Sequence, residues 1–254
     1  MNARGLLPLA IGAGVMIGVW WFAVIALGIP QYLMPTPSEV WRTFLSSPHD
    51  FIYQTGQTLL EAVLGFVIAV AAGLLGGSLL FRFALARQMV LPWTSALQAI
   101  PIVAIAPVLV VWCGSGMTPK VLMSAIISFF PILNAVLVGF SEVDQNRRLL
   151  FEVYRTGYMR TLRHLLLPSA LPTIVMGVKI SGGLATVGAI VAEMTGADKG
   201  LGFVLLTATY RLETPRLFVA VILSGLMGWF AYSLPNVIQW LAPNYWESTR
   251  LEVS

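Results

Sequence analysis

The chain is expected to fold as an all-α polytopic membrane protein with about six transmembrane helices, and three observations lead there. Of its 254 residues, 57% are hydrophobic and only 10% are charged, against about 25% charged residues in an ordinary soluble domain. Mean hydropathy is +0.83. Charge is absent from the stretches 5–38, 62–81, 88–119, 121–141 and 217–246, and a sixth stretch, 165–192, is interrupted only by Lys179. A bilayer core takes roughly 20 apolar residues of helix, so each stretch is long enough to cross.

The first span is placed at Leu6–Leu27. A cleavable leader is the competing reading, but its apolar part usually runs about 7 to 15 residues, so retention as a helix is favoured. Gly28–Gln57 follows as a segment rich in proline, with Pro30, Pro35, Pro37 and Pro48. The remaining spans are placed at Thr58–Leu80, Val90–Trp112, Val121–Phe140, Leu171–Ala192 and Leu217–Leu241, so that the connections alternate sides. One side then holds Arg4, Arg82, Arg87, Arg147, Arg148, Arg155, Arg160, Arg163 and Arg250, and the other Arg42, Lys120, Lys199, Arg211 and Arg216. Basic residues favour the cytoplasmic side, which predicts both termini in the cytoplasm.

Between the fourth and fifth spans, 141–167 carries five arginines against Glu142, Asp144 and Glu152. Leu149, Leu150, Val153, Tyr154, Gly157, Met159, Leu162 and Leu165 recur near three- and four-residue spacing, which predicts an amphipathic helix. Such a helix either rests on anionic headgroups or is gripped in the groove of another protein.

Small residues gather in the second and fifth spans, at Gly65, Gly73, Gly76, Gly77, Gly177, Ser181, Gly182, Gly183 and Gly188. They allow close helix contact, within the chain or along a substrate path. Pro92, Pro101, Pro107 and Pro131 are expected to kink the third and fourth spans. Glu61, Lys179 and Glu193 are ionisable residues at or near membrane depth, where a charge must face an interior, a partner or the interface. Glu193, at the end of a span, is read either as a capped carboxylate or as part of an external gate.

Other function classes fit less well. The basic residues sit between apolar spans and form no stripe, so no nucleic-acid role is expected. Cys113 is the single cysteine, which excludes an intrachain disulfide. No cofactor or metal is expected. An intramembrane hydrolase would need a base near Ser115, yet His49 and His164 are the only histidines and are placed on opposite sides. An ATP-independent carrier or channel would show inverted repeats or more buried ionisable groups.

The run Leu149–Pro172, followed by Gly177 and Lys179, resembles the cytoplasmic loop of permease subunits of ATP-binding-cassette importers. Upstream, Thr58-Leu59, Gly65-Phe66, Gly73, the stretch Pro101–Pro107, Trp112, Gly114, Gly116, Lys120, Phe129-Phe130-Pro131 and Asn134 continue the likeness. Downstream it extends through Val191–Glu193 and Gly200–Gly202. The order resembles the branch for nitrate, sulfonate, taurine and thiamine precursors. The loop departs from the family pattern of Glu-Ala-Ala, a glycine six residues after the glutamate and Leu-Pro thirteen after the glycine. Counting back from Pro168 puts Arg155 at the glycine and Leu149 at the glutamate; alternatively Glu152 and Gly157 are the counterparts, at shorter spacing.

The resemblance implies a type I importer transmembrane domain in the plasma (inner) membrane. It implies a second copy of the chain, cytoplasmic ATP-binding subunits and an external substrate-binding protein as partners, within the lipid bilayer. The residues expected to couple to the ATPase are Leu149, Glu152, Arg155, Gly157, Leu167 and Pro168; Pro101, Pro107, Asn134 and Glu193 are expected in a pathway or gate. The chain has no GxxxxGK[ST] phosphate loop, so ATP hydrolysis is expected on a separate subunit rather than here. Three parts are expected: an N-terminal helix and external segment, 1–57; a permease core, 58–246, containing the loop 141–167; and a cytoplasmic tail, 247–254.

Overall fold

The computed structural model describes the backbone of residues 3–241 and the side chains of residues 11–94 and 96–235. The expected tail 247–254 lies outside the described residues. Each of the six apolar stretches contributes helix among the described residues. Helix α1 (Ala3–Ala26) is followed by a short α2 (Pro37–Ser46), which Thr36 begins with a reciprocal cap: Thr36 Oγ1 accepts from the Glu39 amide, and the Thr36 amide donates to Glu39 Oε2. α3 (Pro48–Arg82) has 35 residues and measures about 50 Å at 1.5 Å per residue, well beyond the ~30 Å apolar core of a bilayer. Its first turns therefore stand clear of the apolar layer.

The expected third span, Val90–Trp112, is not one helix. It is a pair, α4 (Ala84–Gln98) and α5 (Ile102–Cys113), whose axes differ by 100°. Pro101 supplies the break: it lacks an amide proton and pushes the preceding residue away from helical geometry. α6 (Met117–Ser141) continues as an unbroken helix despite Pro131. Then come α7 (Gln145–Val153), α8 (Tyr158–Thr161), a π-helical turn (Leu162–Leu166) and α9 (Leu167–Gly196). α10 (Leu201–Tyr210) and α11 (Thr214–Leu241) complete the order. Among the described residues, α3, α6, the run Tyr158–Gly196 and Thr214–Pro235 are each long and apolar enough to cross a membrane; the bent α4–α5 pair makes a fifth candidate. The described part of α1, Ile11–Ala26, is shorter.

α6 is the centre of the bundle, with α3 and α9 packed on it. Its Met123, Ile132, Val136 and Phe140 are fully buried. The contact with α3 is close because α3 presents Gly65, Ala69, Gly73 and Gly77, four residues apart and on one stripe. A Cβ added to Gly73 would stand 2.7 Å from an Ile132 methyl carbon, and one added to Gly77 2.6 Å from a Val136 methyl carbon. On the other flank Ser128 and Ser181 bond reciprocally: each hydroxyl donates to the other's carbonyl, at 3.1 and 2.7 Å. The small residues read from the sequence thus serve packing within one chain, where lipid offers no hydrophobic drive for helix association and close approach supplies it.

Candidate functional site

Two regions at opposite ends of the bundle hold the singled-out residues. The first is the connection from α6 to α9. Arg148 crosses back to donate to the Phe140 carbonyl and lies 5.2 Å over the Phe81 ring, which ties α7 to the ends of α3 and α6. Asp144 caps α7 by accepting from the Arg147 amide at 3.0 Å. The helix closes at Arg155, whose φ of +49° is left-handed, with the Thr156 amide bonding to the Phe151 carbonyl at 3.1 Å. The single amphipathic helix expected across this segment is therefore two pieces, because the chain turns at Arg155.

Gly157 has φ −65° and ψ 152°, which any residue adopts. The left-handed backbone that favours glycine falls at Arg155 instead. α7 leaves Leu149, Leu150, Val153 and Tyr154 exposed, at 48, 54, 77 and 73%. Glu152 is exposed on the same helix, and Arg155 is exposed in the turn that follows it. Leu167 and Pro168 are elsewhere: Leu167 packs against the buried cluster around Phe140 and Leu166, and Pro168 sits in the first turn of α9, directly after the π-helical turn that runs into it.

The second region is a buried polar cluster at the other end. Glu193, wholly buried near the end of α9, accepts from Thr58 Oγ1 at 2.7 Å and from the Gly202 amide at 2.6 Å. The Leu201 amide donates to Thr58 Oγ1 at 2.8 Å, and the Gly200 amide to Gln54 Oε1 at 2.7 Å. Three side chains from α3 and α9 thus satisfy the free amides that open α10, and a carboxylate is suited to that helix end. Gly200 is required: its φ is +103°, and a Cβ there would overlap the Glu193 carboxyl. Beside this cap, Lys120 Nζ meets Glu61 Oε1 at 3.0 Å, with both side chains buried, and Glu61 in turn neighbours Glu193. An ion pair so enclosed is costly to break from one side, since the remaining charge has no solvent.

Sequence reasoning singled out Glu193 and Glu61 by their depth and named Thr58 and Lys120 only within the family likeness; Gln54 and the Glu61–Lys120 pairing were not found. Glu61 and Lys120 stand at the same end of the second and fourth expected spans, one acidic and one basic, and that was the available signal. The other residues named for a pathway do not join the cluster. Pro101 opens α5, Pro107 lies inside it, and Asn134 is half-buried on α6. α5 instead borders an apolar groove of about 690 Å³ with α3, α4 and α6, lined by Ile68, Leu97, Val108, Trp112, Phe129 and Phe130 among others.

Comparison with known proteins agrees with this arrangement. Residues 62–243 match the family described as binding-protein-dependent transport system inner membrane component. A "Probable ABC transporter permease protein" of Haemophilus influenzae is 33% identical over 223 residues, covering 88% of this chain and 91% of that protein. The riboflavin transport system permease protein RibX of Chloroflexus aurantiacus is 34% identical over 243 residues, covering 92% and 88%. The formylaminopyrimidine transport permease protein ThiX of Halalkalibacterium halodurans is 29% identical over 215 residues, covering 84% and 86%. The match spans α3 to α11 and so includes the three-helix core, the α6–α9 connection and the capped α10; the chain belongs to the binding-protein-dependent transport system inner membrane components, the permease subunits of ATP-binding-cassette importers.

Proposed function

We propose that this permease works as one half of a symmetric dimer, takes a small organic solute from an external binding protein, and is driven by ATPase subunits that seat on α7. The exposed apolar edge of α7 carries this reading. Leu149, Leu150, Val153 and Tyr154 stand on a helix outside the spans, at the end that gathers the arginines. A helix offering such anchors suits a protein groove. The positive-inside bias supports placing this end, and both termini, in the cytoplasm. With no phosphate-binding loop in the chain, ATP hydrolysis belongs to the separate subunit.

The solute's path is assigned along α5, where the α4–α5 break with Pro101 and Pro107 borders the apolar groove, with half-buried Asn134 of α6 as a polar candidate. Glu193 serves the external end by fixing α10 rather than by meeting solute, a role its complete burial supports. Residues 58–246 form the transport core, and 1–57 add a peripheral helix and external segment. Relatives named for riboflavin, formylaminopyrimidine, aliphatic sulfonates and taurine support a small organic solute.

The test is Leu150→Glu with Val153→Glu on α7. A carboxylate in a closed protein groove loses its water, so the pair should remove copurification with the ATPase and solute-stimulated hydrolysis while the chain still inserts. Full ATPase retention in the double variant overturns the assignment of α7.

A further inference from the structure

The turn at Arg155 separates α7 from a second surface with different chemistry. Arg82 at the end of α3, Tyr158, Met159 and Arg160 on α8, and Arg163 and His164 in the π-helical turn line an open concavity of about 600 Å³. No aspartate or glutamate lines it. Among the described residues, no carboxylate comes within ion-pair distance of Arg82, Arg160 or Arg163. The cluster is nevertheless held in place. The Tyr158 hydroxyl donates to the Ser78 carbonyl at 2.5 Å, one turn inside α3, and the Arg82 guanidinium lies over the Tyr158 ring at 4.7 Å. Stacking on a ring fixes the plane of a guanidinium and leaves its donors free for an anion.

The depth of the cluster narrows the choice of anion. Arg82 immediately follows the uncharged stretch 62–81, and Arg163 stands two residues before the apolar run that begins at Leu165. All three arginines are exposed, and they stand where two spans leave the apolar layer. That is the level of lipid phosphates. We propose that Arg82, Arg160 and Arg163 bind the phosphate of an anionic phospholipid headgroup in the adjoining leaflet. The connection between α6 and α9 then has two customers: α7 faces a protein, and α8 with the π-helical turn faces lipid. The lipid site goes beyond the ATPase assignment and does not depend on it.

The experiment uses the complete complex of permease and ATPase, reconstituted in vesicles of phosphatidylcholine with added phosphatidylglycerol, gently extracted and weighed intact by native mass spectrometry. The wild type should retain phosphatidylglycerol in preference to phosphatidylcholine. Each arginine near an anionic surface is worth roughly fivefold in binding, so Arg82→Gln, Arg160→Gln and Arg163→Gln together should lower retention on the order of 100-fold. ATPase copurification should stay unchanged, and excess inorganic phosphate should leave the lipid bound. Equal retention by the triple variant overturns the proposal, as does displacement by inorganic phosphate, which would make the site one for a soluble ion. Loss of the ATPase from the triple variant also overturns it by assigning the arginines to the protein contact. If the triple variant does not assemble, each single variant should still show about a fivefold drop, and none showing a drop overturns the proposal. The α7 pair Leu150→Glu and Val153→Glu should release the ATPase and keep the lipid, which separates failure of one assignment from failure of the other.

Discussion

Arg155 holds a left-handed backbone conformation, which costs a residue with a Cβ roughly 1 to 2 kcal/mol. Glycine removes that strain but adds freedom to the unfolded chain, so Arg155→Gly should stabilise the protein by up to about 1 kcal/mol. A thermal melt of the purified permease checks this, and a lower midpoint would show that the arginine side chain makes a contact worth more than the strain. The same residue marks a limit of reading the sequence. Apolar spacing ran through Arg155 without interruption, and neither glycine nor proline announced a turn there. Glu193 was legible as a carboxylate closing a span, but its partner Thr58 lies 135 residues away, and spacing along a chain says nothing about that pairing. Once both oxygens of Glu193 are seen to hold Thr58 and Gly202, the capped reading of this residue accounts for its burial.

At the scale of elements, the packing of α3 on α6 sorts glycines that look alike in sequence. A Cβ on Gly65 would stand 2.5 Å from Ser124 Cβ and 2.6 Å from the Val121 carbonyl oxygen, and backbone cannot step aside as a side chain does. A Cβ on Gly76 would find its nearest neighbour, a Leu133 methyl carbon, at 3.7 Å. Gly65→Ala should therefore cost about 1 to 3 kcal/mol, and Gly76→Ala should be neutral or slightly stabilising. Comparing melting midpoints and the monodisperse fraction of the two variants in detergent tests this, and similar behaviour would contradict the observed helix spacing. The apolar stretches had announced these helices because uncharged length is a direct requirement of the bilayer. The break in the third one was only half legible. Pro101 signalled a kink, but Pro107 and Pro131 carry the same signal and are accommodated within α5 and α6. Proline spacing alone therefore did not say which of the three would end a helix.

For the whole molecule, the contacts place helix ends in two groups. Arg82, Phe140, Arg148 and Tyr158 meet at one end, while Thr58, Glu61, Lys120, Glu193 and Gly200 meet at the other. The first group is the side that the basic residues assign to the cytoplasm. In a Cys113→Ser background, cysteines placed at Ala84 and Asn146 should be shielded from a membrane-impermeant maleimide added outside intact cells, and cysteines at Ser115 and Asp198 should react. The reverse labelling would invert the orientation and move α7 away from any cytoplasmic ATPase. Alternation of sides was legible from the uncharged stretches alone. Which ends touch was not, because Lys120 and Glu61 are joined by packing that only the assembled bundle creates.

The paired serines at the middle of that bundle restrict how a push at one end reaches the other. Ser128 and Ser181 each offer a hydroxyl to the other's carbonyl, and this match exists at one axial offset only. Sliding α9 along α6 by a helical turn, about 5.4 Å, would strand two hydroxyls without those acceptors in an apolar surround. The two helices are thus denied a ratchet and left free to tilt together. On the proposed seating of the ATPase at α7, a displacement delivered there would travel as rotation of a locked pair, its stroke at the far end set by leverage along the helices and not by slippage between them.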